Sequence, residues 1–403
     1  MVAEITLDEV SANENGGWER SVLLKTASTS IDVFMKYPKN QKTDFYHNAC
    51  LPGLYLAVFS LYITTLNPSI PPSGNSGELT ITSFLLGVPH PTGYTTYTIL
   101  SSVFIRFLPF GNIAFRLSIF SALTMALGIA IFYSFLRILN KGKLVIPLLI
   151  AFSIAAAGTL WEQAQMPELY AMHVLLMSLA LWFGIRLFNN HDLKLYFGFS
   201  FFAGIAMTNH LLFVFVFPVI LYWVGLKSLG MLLKKSTFLS CVLFFIIGFS
   251  ITIYLPVRSS LNPVVDWGNT KFALNFIRHL SGSQFHNEMF ANPLPLVLYN
   301  IKSILNWIWI SVPFYFLSVM ALGFFMLKRE PLISVVLFTC ILMVIGLANY
   351  NIPDIDNYYV SILLLLGIPA LFGTQFVIDK ISQLNSKIAF FLSACFLSSR
   401  LSL

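Results

Sequence analysis

The chain has 403 residues, of which 57% are hydrophobic and only 10% charged, with a mean hydropathy of +0.78. A soluble domain carries about 25% charged residues, so this composition excludes a soluble globule and predicts an all-α polytopic membrane helical bundle. The net charge of +7 forms no basic patch but punctuates apolar spans, which excludes nucleic acid as a partner.

Residues 1–48 read as a cytosolic N-terminal tail and residues 49–403 as a transmembrane domain. Over residues 1–50 there are five Lys/Arg and seven Asp/Glu, a pattern unlike a cleavable signal peptide. A short first span, 49–66, leads into a first non-cytosolic loop at 67–112. This loop opens with NPSIPPSGNSGELTITSFLLGVPHP, which holds one carboxylate, Glu78, and one histidine, His90. Such a polar, turn-rich stretch is tolerated beside apolar helices only outside the bilayer or against a wet cavity.

Residues 93–108 are apolar but interrupted by Thr, Ser and Arg106. Further spans are expected at 113–139, 144–160, 169–187, 193–207, 211–226, 237–255, 301–327, 332–348, 358–378 and 388–403. With the first, that makes about eleven transmembrane helices. Four cysteines are scattered in or beside apolar runs without metal-ligand spacing.

Charge decides whether 93–108 crosses. If it lies along the membrane surface, every second later connection is basic. Five such connections hold twelve of the 24 Lys/Arg and three acids, Asp192, Glu330 and Asp379. The opposite side holds six basic residues against seven acids. A crossing helix would invert every later loop, so the surface helix and a cytosolic N-terminus are expected. The connections 67–112, 161–168, 208–210, 257–300 and 349–357 then share the non-cytosolic face, as the segments of a composite site would.

Glu78, in SGNSGEL, suits a general base with a raised pKa and equally an acid in the first turn of a helix. His90, between Pro89 and Pro91, could donate to a phosphate oxygen, though a lone loop histidine is more often simply solvated. Glu168 follows Pro167 where a span opens, which fits a sugar-binding carboxylate or a helix start. Asn209 and His210 separate two short apolar runs, where strongly polar residues are costly. Arg258 ends a span and could hold a lipid phosphate through paired hydrogen bonds or act as an interfacial anchor; Asp266 follows in the same loop. Asp354 and Asp356 form a D-x-D pair, a weak signal for a divalent metal. No nucleotide-binding loop, zinc motif or redox pair is visible, and no cofactor is implied beyond such a metal.

The blocks PSIPPSGNSGELTITSFLLGVPHPTGY, LPFGNIAFRLSIFSAL, LWEQAQMPELYAM, GIAMTNHLL, YLPVRSSLNPVVDWGN and NYNIPDIDNYY occur in order over residues 51–359. Together they resemble a polytopic GT-C-type glycosyltransferase family that includes transmembrane protein 260, a protein O-mannosyltransferase. The resemblance implies a GT-C-like fold with surface helices and the catalytic carboxylate in the first non-cytosolic loop. It also implies a polyprenyl- or dolichyl-phosphate-linked sugar donor, taken up from membrane lipid, and a protein or glycan acceptor outside the cytosol. The setting would be the bacterial inner membrane or the endoplasmic reticulum. The family's loop reads G-D-S-G-E, whereas Gly74 is followed here by Asn75, which keeps the shape but cannot accept a proton. Glu78 is the acid that remains, with Asn75 beside it and His90, Glu168, Asn209, His210, Arg258, Asp266 and Asp354 as the expected substrate-binding set. HPPGYP is altered to HPTGYT, and the sequence ends at Leu403 short of the hydrophilic C-terminal part that many relatives carry. Two other readings remain open at this point: a lipid or solute transporter, and an inactive relative that binds lipid-linked sugar.

Overall fold

The computed structural model describes residues 41–71, 74–189, 192–227 and 229–384, and is 78% helical with no strand among them. Helices are the only open-chain answer to a bilayer, because each pairs its own backbone N–H and C=O groups. In chain order they are α1 Gln41–Ile63, α2 Ser76–Leu85, α3 Thr95–Phe107, α4 Ile113–Leu139, α5 Val145–Ala155, α6 Gly158–Gln165, α7 Tyr170–Asn189 and α8 Leu193–Asn209. A 3-10 turn, Leu211–Val216, leads to α9 Phe217–Lys227, α10 Leu229–Leu232, α11 Lys235–Phe249, α12 Tyr254–Ser260, α13 Ala273–Leu280, α14 Leu294–Ser311, α15 Phe314–Phe324, α16 Pro331–Ala348 and α17 Val360–Leu384.

Five described segments are long and apolar enough to cross a membrane: Ile113–Leu139, Tyr170–Asn189, Lys235–Ser260, Pro331–Ala348 and Ile355–Gln383. Two bent pairs raise the number to as many as seven, and Ala49–Ile63 and Leu211–Gly225 are shorter apolar helices. The protein is thus an integral, multi-pass membrane protein. The expected count of about eleven spans is not confirmed by the described residues. The run at 301–327 is broken, because α14 and α15 meet at 118°. Val312 is held extended ahead of Pro313, whose ring disfavours helix in the preceding residue. The run at 144–160 is bent by 64° between α5 and α6, and α8, at 17 residues, falls short of the ~20 a straight span needs. Residues 388–403, and residues 1–40 of the expected tail, lie outside the described residues; α1 extends the first span back to Gln41. Helix α3, at the expected surface position, has 13 residues and is too short to cross.

Helices α4 and α7 form the centre, 78% buried over their apolar windows, whereas Lys235–Ser260 is 17% buried and turns its Leu, Ile and Phe side chains outward. Lipid is as apolar as leucine, so close packing rather than water exclusion holds such helices together. Glycine sets the closest approach. A Cβ on Gly128 of α4 would sit 2.9 Å from the Leu175 backbone N of α7, and one on Gly204 of α8 only 2.3 Å from the Phe245 carbonyl O of α11. These crossings place the ends of α7 and α8, which carry Glu168 and Asn209-His210, beneath α2 and α3. Gly204→Val is expected to destabilise the protein by about 1–3 kcal/mol through overpacking, read as a lower midpoint in thermal unfolding in detergent.

Candidate functional site

The polar loops are stitched together at one end of the bundle. Asn67 N–H donates to Gln165 O (3.1 Å), Val88 N–H to Val265 O (2.9 Å), Trp267 N–H to Val88 O (3.1 Å) and Phe290 N–H to Asn349 O (2.7 Å). Gln163 Nε2 donates to Asn357 Oδ1 at 2.7 Å. These bonds satisfy backbone groups that neither helix nor water serves, and they enclose a cavity of about 680 Å3.

Helix α2 stands at the cavity edge, held at both ends by groups from elsewhere in the chain. At its start, Glu168 Oε1 accepts from Asn75 N–H (3.1 Å) and Ser76 Oγ–H (3.0 Å), and so serves one unpaired backbone donor and one hydroxyl at the helix start. Glu168 is only 1% exposed and its Oε2 has no partner. Burial, reinforced by Asp354, outweighs those hydrogen bonds and pushes its carboxyl up to about 8. At its end, Arg258 Nε and Nη2 donate to Leu86 O (2.6 Å) and Leu85 O (3.1 Å), and Tyr254 Oη–H to Gly87 O (2.8 Å). A cation at a helix C-terminus meets both the free carbonyls and the dipole.

Glu78 lies in the first turn of α2, and its carboxylate reaches the next loop. Oε1 accepts from His90 N–H at 2.6 Å, and Oε2 pairs with His90 Nδ1 at 2.7 Å. With Nδ1 donating to the carboxylate, Nε2 is free to accept from the Tyr94 hydroxyl at 2.8 Å. Consecutive left-handed residues, Gly93 (φ 93°) and Tyr94 (φ 36°), turn the chain back so that the phenol returns to the imidazole. Burial first, then the charges of neighbouring groups including Glu78 and Asp354, hold the Tyr94 phenol well above its ordinary value.

Of the expected residues, Asn75, Glu78, His90, His210 and Asp354 line the cavity together. Asn75 Nδ2 donates to Asp354 Oδ2 at 3.0 Å across 279 positions. Glu168 sits directly behind Asn75. His210 stacks on Tyr94 with ring centroids 5.8 Å apart; its Nδ1 accepts from Leu212 N–H, and burial keeps its pKa well below the ordinary value. Asn209 is fully buried with neither side-chain polar atom partnered, and it does not line the cavity.

Arg258 and Asp266 are absent from the cavity lining as well. Arg258 is engaged by the carbonyls of α2, and Asp266 Oδ2 accepts from Ser259 Oγ (2.8 Å) beside the bridge from Val88 to Asp266. Both fasten the two loops to each other. Asp356 is exposed, and among the described residues no group of three or more His, Cys, Asp or Glu side chains could hold a metal ion.

Sequence reasoning missed Tyr94, Trp267, Phe285, Tyr350 and Tyr358, which also line the cavity. Tyr94 stands four residues after His90 in the HPTGY block, a spacing that acquires meaning only once the left-handed turn is formed. Leu211, Leu212, Val214, Phe215 and Leu347 add apolar surface, and Thr92, Ser281 and Gln284 add polar side chains. A cavity lined by carboxylates and imidazoles as well as by aliphatic and aromatic side chains can hold an amphiphile and act on its polar head.

Residues 75–230 match the family model of the protein O-mannosyl-transferase TMEM260 N-terminal domain. Over that segment the chain is similar to the TMEM260 family. It is 26% identical over 254 residues to the protein O-mannosyl-transferase tmem260 of Dictyostelium discoideum, covering 59% of this chain and 31% of that protein. To the TMEM260 of Mus musculus it is 27% identical over 243 residues, 58% of this chain and 34% of the relative. The chain thus spans about a third of the length of the TMEM260 proteins it matches. Among solved structures it resembles ArnT of Cupriavidus metallidurans bound to undecaprenyl phosphate, at a TM-score of 0.59 and 13% identity over 86% of this chain and 63% of ArnT. That likeness gives the bundle a GT-C fold.

The raised carboxyl of Glu168 has a consequence for stability. In the unfolded chain it ionises near 4.5, in the folded chain near 8. The folded state therefore holds the extra proton between those values, and stability falls as pH rises through that window. Glu168→Gln, which keeps the acceptor and cannot ionise, is expected to flatten the loss in melting temperature between pH 5 and 8. Parallel melts of the two proteins read this directly.

Proposed function

We propose that this chain transfers a sugar from a polyprenyl- or dolichyl-phosphate-linked donor to a hydroxyl of a protein or glycan on the non-cytosolic side. The observation that carries the reading is the cavity itself, whose lining combines apolar residues of the 3-10 turn and α16 with Asn75, Glu78, His90 and Asp354. A polyprenyl chain suits the first group and a phosphosugar the second. TMEM260 relatives bearing the name protein O-mannosyl-transferase, and a GT-C neighbour bound to undecaprenyl phosphate, support the same class. The alternation of basic connections supports a non-cytosolic cavity and a cytosolic N-terminus.

No lysine or arginine lines the cavity among the described residues, so the donor phosphate is left to backbone donors and to the side chains of Thr92, Ser281 and Gln284. Glu78 fixes the His90 imidazole through two contacts to one residue, and through that ring the Tyr94 hydroxyl beside the cavity. Transfer also needs a carboxylate to take the acceptor's proton, and Glu78 and Asp354 are the two that reach the cavity. A binding role without transfer is the second reading, favoured by Asn75, which stands where the family's loop has an aspartate.

The test is transfer of labelled mannose from dolichyl-phosphate mannose to a Ser/Thr peptide by the full chain in lipid nanodiscs. Steady product formation is expected; donor binding without product would favour the second reading, and neither would overturn both. Glu78→Gln is expected to weaken donor affinity about tenfold, since a hydrogen bond to a charged group contributes about 1.5–3 kcal/mol. Arg258→Gln is expected to lower the melting temperature and leave donor affinity unchanged, as checked by donor titration.

A further inference from the structure

The two carboxylates that reach the cavity differ in what is left free. Glu78 has both oxygens engaged by His90, one by the backbone N–H and one by the ring. Asp354 has its Oδ2 held by the Asn75 amide at 3.0 Å, while Oδ1 takes no hydrogen bond from any described residue. A general base needs an unoccupied lone pair within reach of the proton it removes. Asp354 is half-buried and lines the cavity beside Ile352 and Pro353, so its second oxygen has somewhere to act.

We propose that Asp354 Oδ1 is the proton acceptor of the transfer reaction and that Asn75 is the residue that positions it. The inference deepens the transfer reading above and rests on it. In the step, the acceptor's hydroxyl oxygen bonds to the anomeric carbon of the sugar. The bond from that carbon to the phosphate oxygen breaks, and its electron pair leaves with the lipid phosphate. The hydroxyl proton passes to Asp354 Oδ1. The products are a glycoside and a lipid phosphate, and no oxidant, reductant or further reactant enters.

Asn75 then has a reason to be neutral. An aspartate in its place would set two carboxylates about 3 Å apart, where like charges raise the pKa of one strongly. The amide instead donates a hydrogen bond to Asp354 Oδ2 and leaves Oδ1 open. The departure from the G-D-S-G-E pattern and the free oxygen of Asp354 become two halves of one arrangement. Tyr94, Glu168, Tyr170, Tyr350 and Tyr358 are the other titratable groups close enough to feel the Asp354 charge. Glu168, bonded to the Asn75 N–H, also feels a charge placed at position 75, so the profile of Asn75→Asp is read beside that of Asn75→Asp with Glu168→Gln, which leaves only the effect on Asp354.

The experiment uses the full chain in nanodiscs with dolichyl-phosphate mannose and a Ser/Thr peptide. Asp354→Asn is expected to lower kcat by about 100-fold or more, the usual contribution of a positioned base, while donor affinity stays within about threefold. Asn75→Asp is expected to move the acid limb of the kcat/KM profile upward by about one pH unit or more. Near-native turnover by Asp354→Asn, with the unmodified protein active, overturns the inference alone. Absence of turnover in the unmodified protein overturns the transfer reading and the inference with it. If Asp354→Asn loses donor binding too, the Asn75→Asp profile decides: a shifted limb supports the assignment, and an unmoved limb overturns it.

Discussion

Every other feature of the site depends on how the ten-residue helix Ser76–Leu85 is closed at its two ends. A helix this short leaves nearly as many backbone groups unpaired at its termini as it pairs within. Here those groups are met from distant parts of the chain, by Glu168 at the start and by Arg258 and Tyr254 at the end. The helix is therefore fixed by the bundle rather than by its own propensity. Asn75 and Glu78, at its first turn, inherit that rigidity. Residues that must meet a ligand are best carried by elements held in this way.

The same arrangement separates three carboxyl groups into different electrostatic settings within one end of the bundle. Glu168 is sealed behind the loop, and burial favours its neutral form. Glu78 is tied to a histidine through both oxygens. Asp354 meets one amide and keeps an open side. One structural acid, one orienting acid and one free acid is a division that environment alone imposes, since the three side chains share the same chemistry.

Much of this was legible in the chain. Composition and the alternation of basic connections gave a polytopic bundle, and the grouping of polar loops gave the general location of a site. Asn75, Glu78, His90, His210 and Asp354 were all named from their local blocks and do share the cavity. Arg258 and Asp266 were read toward a ligand because a charged residue at a span end has two equally good local explanations. Which one holds depends on whether carbonyls of another segment come within reach, and Leu85 and Leu86 do. The bend inside the span expected at 301–327 was not legible for a related reason: hydropathy is blind to the 118° break that Pro313 begins.

By itself the sequence determined the solvent this protein lives in, the short segments that cannot lie in lipid, and the residue types available for chemistry. Those are sums over neighbouring residues, and periodicity and charge report them well. Only the tertiary structure decided which acid is held and which is free. The deciding bonds join positions 93 and 279 residues apart, and they form because glycine-lined crossings bring α4 against α7 and α8 against α11. A hydrogen bond depends on distances set by packing, and no local pattern in the chain encodes them.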